Sequence, residues 1–235
     1  MTRRRWIADE FSGQQAFLLG QNAAHLARVL RGRVGQEYEI VCGELVRLGT
    51  IASVSAERVE FVLGDAVAAG YEREFVLVTA IYKFDRLEWA IEKCTELGVT
   101  RIVPVIARRT GSHLAAAARQ RVERWRRIAH EASQQARRLR PPRIDDVAAL
   151  NSALDLEAGA RLLLNENERS ENLREALSDA AGTIAFAVGP EGGWTGEELA
   201  AFLAAGWRSV TLGSAILRAE TAAIAALAAA AAILN

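Results

Sequence analysis

Three segments in the last third of the chain have the composition of loops that bind a small ligand. The first, Gly189-Pro190-Glu191-Gly192-Gly193, follows an apolar run and precedes a polar helix start. The others, Leu212-Gly213-Ser214-Ala215-Ile216-Leu217-Arg218 and Leu164-Asn165-Glu166-Asn167-Glu168, end two further apolar runs. Glycines let the backbone approach a ligand closely, and free amides donate hydrogen bonds to it. The segments together predict one ligand pocket; for the first segment alone, a tight turn with a rigid proline is the alternative.

The elements that must position these loops alternate in type from Glu74 onward. Helices are predicted from a cap at Asp85 to Gly98, over 115–139, from the capping box Thr195-Gly196-Glu197-Glu198 to Ala205, and over the alanine-rich end. The predicted strands are Phe75–Ala80, Arg101–Ile106, Arg161–Leu164, Thr183–Val188 and Ser209–Leu212. This alternation predicts a parallel α/β sheet, whose ligands bind at the carboxyl ends of the strands. No GxGxxG follows a strand, which disfavours a dinucleotide loop.

The first 70 residues have a different pattern. Short β-rich runs cover Glu37–Cys42, Leu45–Val54 and Arg58–Leu63, and a short helix over His25–Leu30 ends at Gly32. Short strands at close spacing predict a small barrel. With Gly64–Glu72 as a linker, we expect two domains, 1–70 and 71–235.

Charge is segregated along a chain whose net charge is zero. Residues 101–143 contain twelve arginines but only Glu123 and Glu131 as acids, a net charge of +10. A solvated helix face is one interpretation. We favour RNA contact, because two acids cannot neutralise twelve arginines and because arginine suits bidentate phosphate contacts. Arg3, Arg4 and Arg5 form a second basic spot.

Several features of the sequence indicate the cellular environment in which the protein works. Cys42 and Cys94 have no spacing that builds a disulfide framework or a metal site, so we expect a reducing, cytoplasmic location and no metal. The start of the chain does not read as a signal peptide. The alanine-rich helix, Ala219 to Ile233, predicts a packed helix rather than a membrane span. It can pack on the sheet or form a subunit interface, and the sequence alone weighs the two equally.

A family resemblance extends over nearly the whole chain. The segments that carry it occur in the family's order and are His25-Leu26-Ala27-Arg28-Val29-Leu30-Arg31, Lys83-Phe84-Asp85-Arg86-Leu87-Glu88, Thr95-Glu96-Leu97-Gly98-Val99, Glu123-Arg124-Trp125, Glu131-Ala132-Ser133-Gln134-Gln135-Ala136-Arg137-Arg138, Val188-Gly189-Pro190-Glu191-Gly192-Gly193-Trp194, Leu212-Gly213 and Ile216-Leu217-Arg218-Ala219-Glu220-Thr221-Ala222. Together they resemble the bacterial 16S ribosomal RNA uridine-N3 methyltransferases, ribosomal small subunit methyltransferase E, of the SPOUT superfamily.

The resemblance implies a fold, a methyl donor and partners. The fold would be a PUA-like barrel followed by an α/β, trefoil-knotted methyltransferase domain. The protein would be a homodimer that takes its methyl group from S-adenosylmethionine and acts on 16S ribosomal RNA of the small subunit or its late precursor. The donor pocket would be lined by Leu164, Gly189, Glu191, Gly192, Leu212, Gly213, Ile216 and Leu217. The RNA contacts would come from Arg3, Arg4, Arg28, Arg31, Arg124, Arg137, Arg138 and Arg140.

The chain departs from the family in two places, which together comprise three residues. Ser214-Ala215 replaces the Pro-Arg that commonly follows Leu-Gly, and Ala219 replaces a threonine. We therefore assign to Arg218 the stabilisation of an anionic uracil oxygen. Glu191 or Glu220 could accept the N3 proton, or could pair with an arginine; Glu220 also fits a first-turn carboxylate favoured by the helix dipole.

Two other functions fit the same residues. One is a knotted methyltransferase that acts on another RNA. The other is a non-catalytic RNA-binding or ribosome-assembly protein, and the absence of the family's arginine at position 215 is the reason to consider it. His25, His113 and His130 are scattered along the chain and away from the three loops. For His130, within the arginine-rich helix, a structural or RNA-contacting role is favoured over catalysis.

Overall fold

The chain divides into two compact units. The computed structural model describes residues 5–43, 45–67, 73–136 and 138–234. One unit contains Met1–Tyr71 and Ser133–Arg140, and the other contains Glu72–Ala132 and Pro141–Asn235. The domain ranges 1–70 and 71–235 stay a prediction.

The first unit is built on a six-stranded sheet. Its strands are β1 (Arg5–Ile7), β2 (Glu10–Ser12), β3 (Gln15–Leu19), β4 (Glu37–Cys42), β5 (Leu45–Val54) and β6 (Arg58–Val67), in the order β1-β4-β5-β6-β3-β2. All neighbours are antiparallel except β1 and β4. Helix α1 (Gly20–Ala24) leads directly into a π-helix (His25–Val29), where a short helix was predicted. The core contains Trp6, Leu18, Leu26 and Phe61.

The predicted linker begins too early. Strand β6 continues to Val67, so Gly64 to Val67 belong to the sheet. The extension has a partner because β5 is ten residues long and its residue Val46 pairs with Val67. The side chain of Arg47 also donates from Nε to the carbonyl of Gly64 at 2.9 Å.

The second unit is built on a seven-stranded parallel sheet, as the alternating pattern predicts. Its strands are β7 (Phe75–Ala80), β8 (Val99–Ile106), β9 (Arg143–Ile144), β10 (Ala148–Ala149), β11 (Ala160–Leu164), β12 (Ile184–Val188) and β13 (Arg208–Val210). The order is β10-β8-β7-β12-β11-β13, with β9 beside β8, and every pairing is parallel. Strands β7 and β12 are buried along their whole length, as expected of central strands covered on both faces.

Helices cover the sheet. They are α2 (Phe84–Glu96), α3 (Ser112–Gln135), α4 (Asn151–Leu154), α5 (Leu173–Ser178), α6 (Gly196–Ala204) and α7 (Ala219–Leu234). One apolar cluster joins residues of α2, α3 and α7 to the sheet, including Ile91, Trp125 and Leu227. The other includes Phe202 and Trp207. Both cysteines are buried and free.

One predicted element end is confirmed, and two others differ from the structure. The capping box at Thr195 is confirmed, with Thr195 as the N-cap of α6 and Glu198 as its reciprocal partner. The cap predicted at Asp85 is wrong: Lys83 is the N-cap of α2, and Asp85 lies in the first turn, where its charge favours the helix dipole. Strand β13 ends at Val210 because Thr211 turns to pair with the backbone of Glu171.

Helix α7 buries one face of small residues. Ala223, Ala226, Leu227 and Ala230 are buried in the core of the unit. The predicted packing on the sheet side is therefore present, and the predicted subunit interface stays a prediction. Within the described residues, no helix combines the length and the apolar character that crossing a bilayer requires.

Candidate active site

A pocket of about 300 Å³ opens at the carboxyl edge of the parallel sheet. Loops that follow β11, β12 and β13 surround it, together with the start of α2, which follows β7. This is the edge at which open α/β sheets bind ligands. The lining residues are Lys83, Arg86, Leu164, Asn165, Glu166, Val188, Gly189, Pro190, Glu191, Gly193, Trp194, Val210, Thr211, Leu212, Gly213, Ala215, Ile216, Leu217, Arg218, Ala219 and Ala222.

The fold brings the three predicted loops together in this one pocket. Seven of the eight residues predicted to bind the donor lie in its wall: Leu164, Gly189, Glu191, Leu212, Gly213, Ile216 and Leu217. The eighth, Gly192, is absent from the wall, and a Cβ added there would meet the side chain of Arg109 at 3.3 Å. The predicted catalytic residues Glu191 and Arg218 both line the pocket.

The loop from Gly189 to Gly193, called here the glycine loop, needs glycine at particular positions. Gly193 has φ +70°, and a Cβ added there would lie 2.6 Å from Oε1 of Glu166. Its amide donates to the carbonyl of Pro190 at 2.8 Å, which closes a turn. The side chain of Arg109 donates from Nη1 to the carbonyls of Gly192 and Trp194. The glycine loop is thus a fixed turn that is held from outside.

The loop after β13 presents apolar side chains to the pocket. Gly213 has φ +130°, and the hydroxyl of Thr211 donates to its carbonyl at 3.0 Å. Ile216, which lines the pocket, is 82% exposed. An aliphatic side chain left this open beside a cavity is suited to cover an apolar ligand surface. Ala215, at the position of the family's arginine, adds no charge to the wall.

The loop after β11 is tied to β13 through Asn165. The side-chain amide of Asn165 donates from Nδ2 to Oγ of Ser209 at 3.1 Å, and its backbone amide donates to the carbonyl of Val210 at 3.1 Å. Asn165 also accepts from the amide of Asn167. This arrangement places Glu166 in the pocket wall.

Three cationic side chains line the pocket, and among the described residues only one of them has a salt-bridge partner. Nη1 of Arg86 lies 2.6 Å from Oε1 of Glu191, and its Nε lies 3.7 Å from Oε1 of Glu220. Lys83 and Arg218 are exposed, and no other described residue makes a salt bridge or hydrogen bond with either side chain. Lys83 and Arg86 were not predicted from the sequence as pocket residues. Both follow the buried strand β7 closely, so the tendency of ligands to bind at the carboxyl ends of parallel strands could have identified them.

The two acids proposed as proton acceptors, Glu191 and Glu220, both form salt bridges. Glu191 and Glu220 share Arg86, which is the arginine pairing that the sequence left open as an alternative. The neighbouring Tyr82 is buried, and that burial raises the pKa of its hydroxyl, so it stays protonated. His25, His113 and His130 lie outside the pocket wall. Among the described residues, no cluster of side chains suited to bind a metal occurs.

Comparison with known proteins agrees with this geometry. The family model for the RNA methyltransferase domain matches residues 70–231. Ribosomal RNA small subunit methyltransferase E of Mycobacterium tuberculosis is 32% identical over 226 residues, which are 92% of this chain and 86% of that protein. This chain belongs to the ribosomal RNA small subunit methyltransferase E family of RNA methyltransferases.

Other family members and solved structures extend the comparison. The Rickettsia conorii member is 39% identical over 155 residues, which are 65% of this chain but only 62% of that protein. The structure of the Neisseria gonorrhoeae enzyme bound to S-adenosyl methionine has a TM-score of 0.86 at 30% identity and covers 97% of this chain and 96% of that chain. A Legionella pneumophila methyltransferase structure, at 24% identity, shows the same fold with a TM-score of 0.87. The predicted fold class, a barrel followed by an α/β-knot methyltransferase domain, is thereby confirmed.

The predicted RNA-binding arginines of this family member differ in their surroundings. Arg28 and Arg31 are exposed on the first unit, and Arg31 has a left-handed backbone with φ 52°. Arg140 is also exposed, whereas Arg138 is only 5% exposed. Arg3, Arg4 and Arg137 lie outside the described residues.

The basic segment 101–143 is partly neutralised, contrary to the expectation from its own composition. Glu88, on α2, pairs with Arg121 and with Arg124, a predicted RNA contact, at 3.3 and 2.9 Å. Asp145 and Asp146 pair with three further arginines: Arg101, Arg143 and Arg126. Acids from outside the segment thus pair with five of its twelve arginines, so a count of the two acids within the segment overstates its net charge.

Proposed function

We propose that this protein transfers the methyl group of S-adenosylmethionine to N3 of one uridine in the 16S ribosomal RNA of the small subunit. The observation that carries the proposal is the pocket in which three loops from the ends of parallel strands converge with seven of the eight anticipated donor-binding residues. The family relationship supports the donor and the RNA class, since the Neisseria gonorrhoeae relative is described as a ribosomal RNA methyltransferase bound to S-adenosyl methionine.

The residues of the pocket fit the chemistry of this donor. Leu212, Ile216 and Leu217 offer apolar surface for the adenine ring and the carbon skeleton. The backbone of the glycine loop offers polar groups at close approach. Glu166 supplies a carboxylate for the positive charges of the donor. A volume of about 300 Å³ lies at the lower end of the range of small-ligand pockets.

Methylation at N3 requires a nucleophilic nitrogen. Neutral uracil carries a proton on N3, so the proton must leave, and negative charge then spreads over N3, O2 and O4. When bound, the donor would supply an electrophilic methyl group to N3: the carbon–sulfur bond would break as the carbon–nitrogen bond forms, and the sulfur would keep the electron pair and leave as a neutral thioether. We propose that Lys83 and Arg218 stabilise the charge on the uracil oxygens and so favour loss of the N3 proton to solvent. Arg86 does not share this role, because its guanidinium is occupied by Glu191 and Glu220.

This assignment also accounts for the departure at Ala215. An arginine at that position would add a cation to the pocket wall, and alanine does not. Within the described part of the chain, Lys83 and Arg218 still give the pocket wall two cations without a salt-bridge partner. The missing arginine therefore does not by itself favour the non-catalytic alternative.

We further propose how the substrate is bound. Arg28 and Arg31 are exposed arginines of the first unit with no salt bridge to another described residue, and they contact RNA phosphates, whereas Arg124 contributes less because Glu88 pairs with it. The target base is splayed out of the RNA to reach the pocket. The protein acts as a homodimer through the remaining surface of α7, and it works in the cytoplasm, where ribosomes are assembled.

Donor binding and nucleoside analysis test the proposal. Calorimetry should detect binding of S-adenosylmethionine, and absence of binding would refute a methyltransferase. Ribosomal RNA from cells that lack the gene should lose one N3-methyluridine from the small subunit and should regain it when the gene is restored. Loss of a methyl group from a different RNA would favour the other knotted enzyme, and donor binding with no loss from any RNA would favour a non-catalytic protein.

A further inference from the structure

Arg86 connects two segments that would have separate tasks in the proposed reaction. Its guanidinium contacts Glu191, in the glycine loop, and Glu220, in the first turn of α7 and two residues after Arg218. We propose that Arg86 is a positioning residue that couples the donor-binding loop to the segment that places Arg218 against the base. The inference rests on the proposed methyltransferase function and adds a means by which donor binding and the acceptor site are aligned.

The position of Arg86 makes it a firm anchor. It lies in the first turn of α2, a helix fixed in the core by Leu87, Ile91 and Cys94. Its side chain is 29% exposed, so it is only partly hydrated. A guanidinium presents donors in a rigid fork, so one arginine can contact two carboxylates at once.

The contact with Glu220 is the more constrained of the two. The side chain of Glu220 is 6% exposed, and Arg86 is the only cation paired with it among the described residues. Its second oxygen, Oε2, is buried and has no hydrogen-bond partner within the same residues. Because a buried carboxylate without a counter-charge is strongly destabilised, the first turn of α7 is held to Arg86.

The contact with Glu191 is shorter but more exposed. Oε1 of Glu191 lies 2.6 Å from Nη1 of Arg86, and its side chain is 39% exposed. Partial exposure screens this pair more than the other, so it is the arm that can adjust when a donor enters the glycine loop. Arg86 therefore holds the start of α7 in place through Glu220, while the glycine loop can shift relative to it through Glu191.

Arg109 provides an internal comparison. It holds the same glycine loop through the carbonyls of Gly192 and Trp194, yet no described contact joins it to α7. A residue that only supports the loop should affect donor affinity more than the rate at saturating donor. A residue that couples the loop to Arg218 should affect both.

Separate variants test the two arms. With purified protein and 16S ribosomal RNA as substrate, Glu191→Gln should raise the donor Kd about tenfold with a smaller change in kcat, because it loosens the loop. Glu220→Gln, which removes the buried charge without changing its shape, should lower kcat about tenfold and leave the donor Kd within about twofold. Arg86→Gln should show both effects, and Arg86→Lys should recover only part of either because an ammonium lacks the fork.

Two controls isolate the coupling from a loss of stability. Lys93→Gln removes a cation of the same helix that is paired with Glu92 and Glu96 outside the pocket wall, and it should leave both constants unchanged. If Arg86→Gln fails to fold because Glu220 is left unpaired, the double variant Arg86→Gln/Glu220→Gln removes that charge and should fold with a low kcat. In an Arg218→Gln background, Glu220→Gln should have no further effect on kcat, because it acts through Arg218.

The outcomes separate this inference from the proposed function. If the wild-type protein neither binds the donor nor methylates RNA, the proposed function itself is refuted. Active wild-type protein with a normal kcat in Glu220→Gln would overturn the coupling alone. The coupling is equally overturned if Glu220→Gln and Arg218→Gln lower kcat by independent factors that multiply in the double variant.

Discussion

Gly189 lies directly against the indole of Trp194, so that a Cβ atom added at residue 189 would come within 3.3 Å of the ring. The ring cannot move aside easily, because Trp194 is buried and packs edge-on against Phe202 with ring centroids 5.0 Å apart. Phe202 is itself packed against Trp207. The start of the glycine loop is therefore fixed by the core beneath it.

From this contact we predict that Gly189→Val weakens donor binding by at least about tenfold, since the branched side chain must displace the loop rather than the aromatic cluster. Calorimetric titration with S-adenosylmethionine measures the effect. Gly196→Ala is the matched control, because its Cβ would meet no atom within 4 Å and residue 196 lies at the start of α6. Equal affinity in both variants would show that this loop does not hold the donor.

A second prediction concerns Lys83. It is exposed in the pocket wall, and its side chain makes no capping hydrogen bond to α2, so Lys83→Met removes charge without loss of a cap. We expect kcat to fall about a hundredfold, as for other donors to a developing oxyanion. The pH at which the rate reaches half its maximum should rise, because the N3 anion is less stabilised.

The control for Lys83 is the only other lysine of the chain. Lys93 pairs with Glu92 and Glu96 on the same helix and is absent from the pocket wall, so Lys93→Met should behave as wild type. A raised donor Kd with an unchanged pH profile in Lys83→Met would instead assign Lys83 to the donor carboxylate. A raised RNA KM that depends on salt, again with an unchanged profile, would assign it to a phosphate.

How much of this site could be read from the sequence depends on the range of the interactions. The turn from Pro190 to Gly193 and the capping box at Thr195 are local patterns, because each joins residues only three positions apart. The pairing of Arg86 with Glu191 joins positions 105 residues apart. It exists because β7 lies beside β12 in the sheet, an order that alternating strands and helices do not specify.

The basic segment illustrates the same limit. The composition of the segment shows its twelve arginines but does not show which acids from other parts of the chain pair with them in the folded protein. Glu88 reaches Arg124 from α2, and Asp146 reaches Arg126 from beyond the end of α3. Net charge along a sequence therefore overstates the charge that a folded surface presents to RNA.

A third prediction separates the arginines. Arg31 has φ 52°, the only non-glycine residue with a positive φ among those described. Arg31→Gly removes the charge and relieves the backbone, so protein stability should not fall. RNA affinity should fall, and the slope of log affinity against log salt should decrease by about one. Arg124→Gln should change the slope less because Glu88 pairs with Arg124. A larger effect for Arg124 would place the RNA contact on α3.

The last prediction is a pH dependence of stability that originates in the loop after β11. The hydroxyl and the backbone amide of Ser170 both donate hydrogen bonds to the carboxylate of Glu168. These bonds, of which the one from the hydroxyl has the larger effect, lower the pKa of Glu168 to about 2 from its ordinary 4.5. A carboxyl whose pKa is lower in the folded state stabilises the fold above its unfolded pKa and loses that contribution as pH falls through the folded value. The difference in unfolding temperature between wild type and Glu168→Gln should therefore shrink between about pH 5 and about pH 2. Ser170→Ala should reproduce much of the effect, whereas Glu157→Gln, an exposed residue with no described side-chain hydrogen bond, should not. A difference that stays constant with pH would show that these hydrogen bonds are not maintained in solution.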